Sequence, residues 1–364
     1  MTMKPSAFSW PFLLLGVLAA CGGGSSGDRP ASFGPPFKVA VSANVSGGPV
    51  SGFTAEYQAL YAIGLRGAQT AAPWKAMDHN DGVTMPPYDL TMITNPYFGL
   101  SALAGYGFTS ILLNIPIITI DARSMPADID TLAFNDPIVK GRYQALIDQV
   151  VPYLVLNPSV KYVSLGNEVD TYLGAHPMAE WNQYKELIED ARTHLKSQLP
   201  GILVGVTTTF EGASSTQTAN VASLNQNMDV VIYTYYPLNF QTMTARDPST
   251  VATDMGTMVS LAGGKPLVLQ EWGYPSSSVV SGSEQKQSDF VAGTFAAWRQ
   301  HGSDKIPFLS FFKRRDWTAA ECTSLSGQVS PQTFFEFLCS LGLLKNDGTQ
   351  KAAYQTLVNQ AAGL

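Results

Sequence analysis

From residue 37 onward the chain switches repeatedly between two hydrophobic periods. Apolar residues at every second position, or short apolar runs, predict strands, and apolar residues three and four apart predict helices. Strands are predicted over residues 37–44, 65–70, 108–115, 162–168, 202–209, 229–236, 267–271 and 306–312. Helices are predicted between them at 54–63, 95–104 and 136–156, the last with a break at Pro152. Another starts at Pro177 and carries Trp181, Tyr184, Leu187, Ile188, Ala191 and Leu195 as one apolar stripe. Residues 216–227 and 249–261 follow the same period. Ser281 and Glu284 have capping-box spacing before the stripe Phe290, Val291, Thr294, Phe295 and Trp298, which Gly302 closes. Residues 331–341 and 352–361 end the chain as helices.

Eight strands alternating with eight helical segments imply parallel strands joined by right-handed crossovers. The expected fold is α/β, a single (β/α)8 TIM barrel over residues 37–364. An open doubly wound sheet would place a glycine fingerprint after its first strand. Ser46-Gly47-Gly48-Pro49 has the wrong spacing for one. Gly263-Gly264-Lys265-Pro266 is not a phosphate loop either, because Val259 stands where the first glycine belongs.

Two stretches carry the chemistry. Residues 161–170 read KYVSLGNEVD and residues 266–274 read PLVLQEWGY. Each is a short apolar strand that ends on a carboxylate, Glu168 on the fourth strand and Glu271 on the seventh. In a barrel these two strand ends face each other across the mouth where catalytic groups sit. Paired carboxylates of this kind are what glycoside cleavage requires; a separation of about 5–5.5 Å would give retention of configuration, and a wider gap, with a water between them, inversion.

The motifs Leu165-Gly166-Asn167-Glu168 and Val268-Leu269-Gln270-Glu271-Trp272-Gly273 resemble those of glycoside hydrolase clan A, which includes many cellulases, mannanases, β-1,3-glucanases and endo-galactanases. The resemblance implies Glu168 as acid/base, Glu271 as nucleophile, Asn167 on the sugar 2-hydroxyl and Tyr236 orienting the nucleophile. It implies a retaining, endo-acting hydrolase of β-linked glucan, mannan or galactan. The chain departs from the clan's pattern at Thr234, where many members have His. It departs again at Ser310-Phe311-Phe312, where many have a Trp. Arg66 is the candidate for the clan's strand-two Arg. Trp74, Trp272 and Trp317 follow strand ends and are candidate sugar platforms, whereas Trp181 and Trp298 lie on helix stripes and are expected in the core. Asp170 and Tyr172 either line the cleft or begin the next loop. A non-catalytic sugar-binding surface lipoprotein, or a transglycosylase using the same carboxylates, are the alternatives.

Composition narrows the picture. Of 364 residues, 45% are hydrophobic and 14% charged, which suits a packed domain. The net charge is −6 and the basic residues are dispersed, which argues against nucleic acid as a partner. The one tight basic run, Lys313-Arg314-Arg315, is expected with Asp316 in a solvated loop. The four histidines, His79, His176, His194 and His301, are not paired at ligand spacing, so neither metal nor cofactor is expected. A monomer with a carbohydrate substrate is the simplest expectation.

The N-terminus changes the expected address. Lys4 precedes an apolar stretch, residues 8–18, too short to span a bilayer. Leu18-Ala19-Ala20-Cys21 resembles the lipobox of bacterial lipoproteins, which implies a signal peptide over 1–20 and lipid on Cys21. Gly22 after the cysteine implies outer-membrane sorting. An ordinary signal peptide with an incidental cysteine is the alternative. Residues 21–36, rich in Gly, Ser and Pro, form a tether. With Cys21 lipidated, Cys322 and Cys339 remain, and an exported protein favours their pairing as a disulfide over two buried thiols.

Overall fold

The computed structural model describes residues 39–45, 48–80, 87–215, 217–326 and 332–362. The predicted signal peptide, Cys21, the tether and the first two residues of the first predicted strand lie outside these. The described chain runs β1 (Val39–Val41), α1 (Phe53–Ala62), β2 (Gly67–Ala71), α2 (Leu100–Gly105), β3 (Ser110–Asn114), α3 (Pro137–Leu156), β4 (Val160–Ser164) and α4 (Met178–Gln198). It continues with β5, in two segments (Leu203–Gly205 and Thr207–Thr209) on either side of Val206, and α5 (Thr218–Asn225). Then come β6 (Val231–Tyr235), α6 (Val251–Leu261), β7 (Leu267–Trp272), α7 (Glu284–His301), β8 (Phe308–Phe311) and α8 (Ala352–Ala362).

All ladders among β1 to β8 are parallel. They make two sheets rather than the single closed ring expected from the alternation. One holds β2, β3, β4 and the first segment of β5; the other holds the second segment of β5, then β6, β7, β8 and β1. The physical reason is local: β5 is interrupted at Val206, so each segment pairs with one neighbour only. Among the described residues β1 and β2 meet through side chains, Gln69 donating to the Ser42 hydroxyl, and not through a backbone ladder. The structure is thus an α/β fold with eight parallel strand positions in sequence order.

Period-two alternation sorts the strand residues into two apolar sets. Val39, Val163, Leu269 and Leu309 point outward and join the large core under the helices. Ala40, Leu112, Tyr162, Ile232, Val268 and Phe308 form a separate buried cluster drawn from six different strands. Val230 completes the cluster, and two positions beyond each of the six strand residues stands a polar one: Ser42, Asn114, Ser164, Thr234, Gln270 and Ser310. An apolar layer is therefore topped by a polar one at the C-terminal ends of the strands, and the site is built on that polar layer.

Several local expectations shift. The α7 N-cap is Ser283, whose Oγ accepts from Lys286 N at 3.0 Å, and not Ser281. Helix α3 continues through Pro152, which lies on its exposed side. Lys313 and Arg314 are buried, contrary to a solvated loop, because the segment after β8 packs against α1 and the C-terminal segment. Glu56 of α1 accepts from both Arg314 and, at 2.9 Å, Arg315, while Lys351 donates to Asp316 at 2.8 Å. Cys322 and Cys339 form a disulfide between helices Ala319–Ser326 and Gln332–Cys339. Among the described residues no helix is long and apolar enough to cross a membrane.

Candidate active site

β4 delivers the first carboxylate through a tight turn. Gly166 follows Leu165, and a Cβ there would lie 2.3 Å from Val169 Cγ1 and 2.4 Å from the Tyr184 hydroxyl, so no other residue fits. Asn167 is pinned by its backbone, its N–H donating to Ile118 O at 2.9 Å and its carbonyl accepting from Ile120 N at 2.7 Å. Glu168 then adopts a left-handed conformation (φ 50°, ψ 44°) and caps the short helix Val169–Gly174. For a residue with a Cβ such a conformation costs about 1–3 kcal/mol and persists only where the surroundings over-determine it. Asp170 supplies part of that restraint. It accepts from Thr209 N at 2.8 Å and Thr209 Oγ1 at 2.6 Å, which holds the short helix to the end of β5 rather than lining the cleft. Tyr172 is likewise structural, donating to Glu180 at 2.8 Å.

β7 delivers the second carboxylate through a bulge. Leu269 pairs with Tyr233 of β6, but Glu271 pairs with the next residue, Thr234, so β7 carries one residue more than its partner. A bulge of this kind re-aims side chains. Here the consecutive residues Gln270 and Glu271 both line one cleft, which strict alternation would forbid.

That cleft has a volume of about 310 Å³ and is lined by Ser42, Gln69, Thr70, Asn114, Thr119, Asn167, Gln270, Glu271 and Phe312, among others. These side chains come from or follow β1, β2, β3, β4, β7 and β8. Of the paired glutamates only Glu271 lines this cleft; a larger groove, about 610 Å³, lined by residues of α6 and α7 including Ala252, Gly293, Lys286 and Asp289, holds neither.

The electrostatics separate the two carboxyls. Burial pushes the Glu168 carboxyl up, and the nearby Glu271 charge pushes it further, to about 8; a hydrogen bond from Thr234 opposes the rise. Glu271 is also raised by burial, but hydrogen bonds from Tyr236 and Gln270 stabilise its charged form. Tyr236 Oη donates to Glu271 Oε2 at 2.6 Å. The Tyr236 hydroxyl stays protonated, its pKa held well above the usual tyrosine range by burial and by both glutamates. Glu168 is therefore the carboxyl that keeps a proton, and Glu271 the one poised as an anion.

The other candidates divide. Asn167 sits in the cleft with its Oδ1 accepting from Gln270 and, at 3.4 Å, from Asn114. Trp74 is not a sugar platform: it is fully buried, donates to Asp78 at 2.9 Å and packs edge-on against Tyr143. Trp272 is also fully buried, among Phe290, Phe295 and Phe311, because it points outward from β7. One face of the half-buried Trp317 is occupied by Lys313, whose Nζ is 3.1 Å from the ring centroid. Arg66 precedes β2 and so lies at the end of the strand away from the cleft. It stacks on Tyr61 and donates to the Tyr61 and Leu65 carbonyls. Trp181 and Trp298 are core residues. Sequence reasoning missed Asn114, Gln69 and Gln270 as cleft residues. The signal for two of them was the polar residue two positions after an inward apolar one.

A model of glycoside hydrolase family 42, described as Beta-galactosidase, matches residues 179–333, less than half of the chain. No curated protein matches by sequence. Among solved structures, a GH5_18 variant from Streptomyces cattleya in complex with Manβ1-4GlcNAc is 16% identical, with a TM-score of 0.69 over 89% of this chain and 80% of that one. A GH5_18 from Bifidobacterium longum subsp. infantis is 13% identical, with a TM-score of 0.67 over 90% and 79%. The exo-β-1,4-mannosidase Op5Man5 from Opitutaceae bacterium strain TAV5 is 16% identical, with a TM-score of 0.66 over 90% of this chain and 59% of that one. The chain thus has an α/β fold related to those of GH5-type TIM-barrel enzymes.

Proposed function

We propose that this protein is a retaining glycoside hydrolase acting on β-linked sugars. The observation that carries the reading is the pair Glu168 and Glu271, both pushed up by burial, with the charge of one raising the other and Tyr236 holding Glu271 at a cleft. Glu271 attacks the anomeric carbon as its bond to the leaving oxygen breaks, and Glu168 gives that oxygen its proton. Water then attacks the glycosyl-enzyme; Glu168 takes the proton of that water and Glu271 is released as carboxylate. Asn167 holds the sugar 2-hydroxyl, a contact that strengthens as the ring approaches an oxocarbenium-like state.

The eight strand positions and the inner cluster drawn from six strands support a closed (β/α)8 barrel as the scaffold. The solved structures with this fold include one in complex with Manβ1-4GlcNAc and one named an exo-β-1,4-mannosidase, and the partial family match is described as a β-galactosidase. Mannose-, glucose- and galactose-configured β-glycosides therefore head the substrate panel. Hydrolysis of one of them, followed as new reducing ends and abolished in Glu271→Ala, is the expected result. Unchanged turnover in that variant would remove the assignment. Product sizes from a polymer report endo or exo action, and rearranged chain lengths without new reducing ends report transglycosylation.

The lipobox-like Leu18-Ala19-Ala20-Cys21 supports an exported lipoprotein. Replacing Cys21 with Ala should release the protein from the membrane fraction, and unchanged membrane retention would refute lipid attachment there.

A further inference from the structure

The nucleophile and the 2-hydroxyl contact must act on adjacent carbons of one sugar ring, C1 and C2. Their relative position therefore has to be held within a fraction of an ångström. Yet Glu271 stands on β7 and Asn167 follows β4, two strands that share no ladder and lie in different sheets. Backbone pairing alone does not set the distance between them.

Gln270 spans that gap. Two residues beyond the inward Val268, its side chain faces into the cleft by ordinary alternation, and the bulge turns Glu271 in beside it. It is 3% exposed. Its Nε2 donates to Asn167 Oδ1, and its Oε1 accepts from Thr207 Oγ1 at 2.7 Å. The Thr207 hydroxyl in turn pairs with Ser164 Oγ of β4 at 2.7 Å. One amide thus joins β4, β5 and β7 directly beneath the reacting groups.

We propose that Gln270 is a positioning residue, its inward-facing amide fixing Asn167 relative to Glu271 so that the 2-hydroxyl is gripped as the anomeric carbon is attacked. This rests on the glycosidase reading above. A glutamine suits the task better than a charged group. It donates and accepts at once, and it adds no third carboxylate beside two that already raise each other.

The test compares kcat/KM on an aryl β-glycoside that the wild type cleaves with that on its 2-deoxy analogue. The wild type should favour the 2-hydroxy substrate strongly. Gln270→Leu should lose about tenfold or more on that substrate and much less on the 2-deoxy one, so the discrimination contracts. In an Asn167→Ala background the same change should add less than about threefold, because the group it positions is already gone. Gln270→Asn keeps an uncharged amide but is one methylene shorter, so it cannot reach Thr207 and Asn167 together. It should show the same contraction, and it carries the test if the apolar variant fails to fold. Equal losses on both substrates, no loss on either, or independent effects in the double variant would each overturn the proposal. Glu271→Ala, assayed alongside, separates the two levels. If it keeps wild-type turnover, the glycosidase reading falls and takes the proposal with it. If it is inactive while the Gln270 variants behave as wild type, the proposal alone falls.

Discussion

Replacing Tyr236 with Phe removes one oxygen and nothing else of consequence. The ring stays edge-on to Phe337 at 5.3 Å and near Phe312 at 6.4 Å, in the same space. What is lost is the 2.6 Å hydrogen bond to Glu271 Oε2. A hydrogen bond to a charged acceptor contributes about 1.5–3 kcal/mol, which corresponds to roughly one to two pH units of carboxyl pKa. The sign follows from which form the hydroxyl favours. It donates to the anion, so its loss raises the Glu271 carboxyl further above the ordinary range. The nucleophile must be ionised, so kcat/KM falls as pH drops through the second proton uptake of the Glu168–Glu271 pair, the first already being held by Glu168. In Tyr236→Phe that acid limb should move up by about one to two units, with a tenfold to hundredfold loss below it and a smaller loss on the plateau. The assay is a pH–rate profile on a chromogenic β-glycoside, with a circular-dichroism melt to show that the fold survives. An acid limb that stays in place would refute the reasoning. If kcat/KM then fell equally at every pH, the hydroxyl would be acting on substrate and not on Glu271.

Two further predictions test placements that the sequence misjudged. Lys313 is buried with no hydrogen-bond partner for its Nζ, and burial pushes its amine down to about 6. The Trp317 ring favours the ammonium form, but a buried ammonium with three unanswered donors is the costlier state, so burial wins. Between about pH 6 and the usual lysine value the unfolded chain binds a proton that the folded one does not, so stability rises with pH across that window. Lys313→Met should therefore stabilise the protein at pH 7 by on the order of 2–4 kcal/mol, with the advantage fading towards pH 10; urea titrations at both pH values check it. Trp74→Ala should cost about 3–5 kcal/mol in a melt while leaving KM near the wild-type value, as befits a core ring and not a sugar platform. A large rise in KM without destabilisation would restore Trp74 to the substrate.

The strands, the order of the βα units and the strand-end positions of the two glutamates were legible because they rest on local signals. Short apolar runs such as residues 108–115, bounded by Gly107 and Pro116, read as strands, and Asn167-Glu168 and Glu271 stand near strand ends where the chain must turn. Directions were harder. Trp272 follows Glu271 and looks exposed on paper, but the bulge at Gln270 sends Glu271 inward and Trp272 out to the core. No one-strand pattern announces a bulge, because it is a mismatch between two strands. Arg66 was misplaced for a related reason: its strand begins at Gly67, so it falls at the wrong end. Lys313 and Arg314 looked solvated as a basic run, and only the fold brings Glu56 to Arg314 and Arg315 from far along the chain. The polar layer was present in the sequence as a polar residue two beyond Ala40, Leu112, Tyr162, Ile232, Val268 and Phe308. Which alternation faces inward becomes readable only once the strands are assembled.

The central claim is that Glu271 forms a covalent bond to the sugar. The most direct measurement incubates the protein with an activated 2-deoxy-2-fluoro β-glycoside of the sugar it cleaves, then locates the added mass by peptide mapping. The account predicts one fluorosugar per chain, on the peptide carrying Glu271, with activity lost in step. A fluorosugar on any other carboxylate would contradict it. So would an unlabelled, active enzyme that releases the parent sugar with inverted configuration.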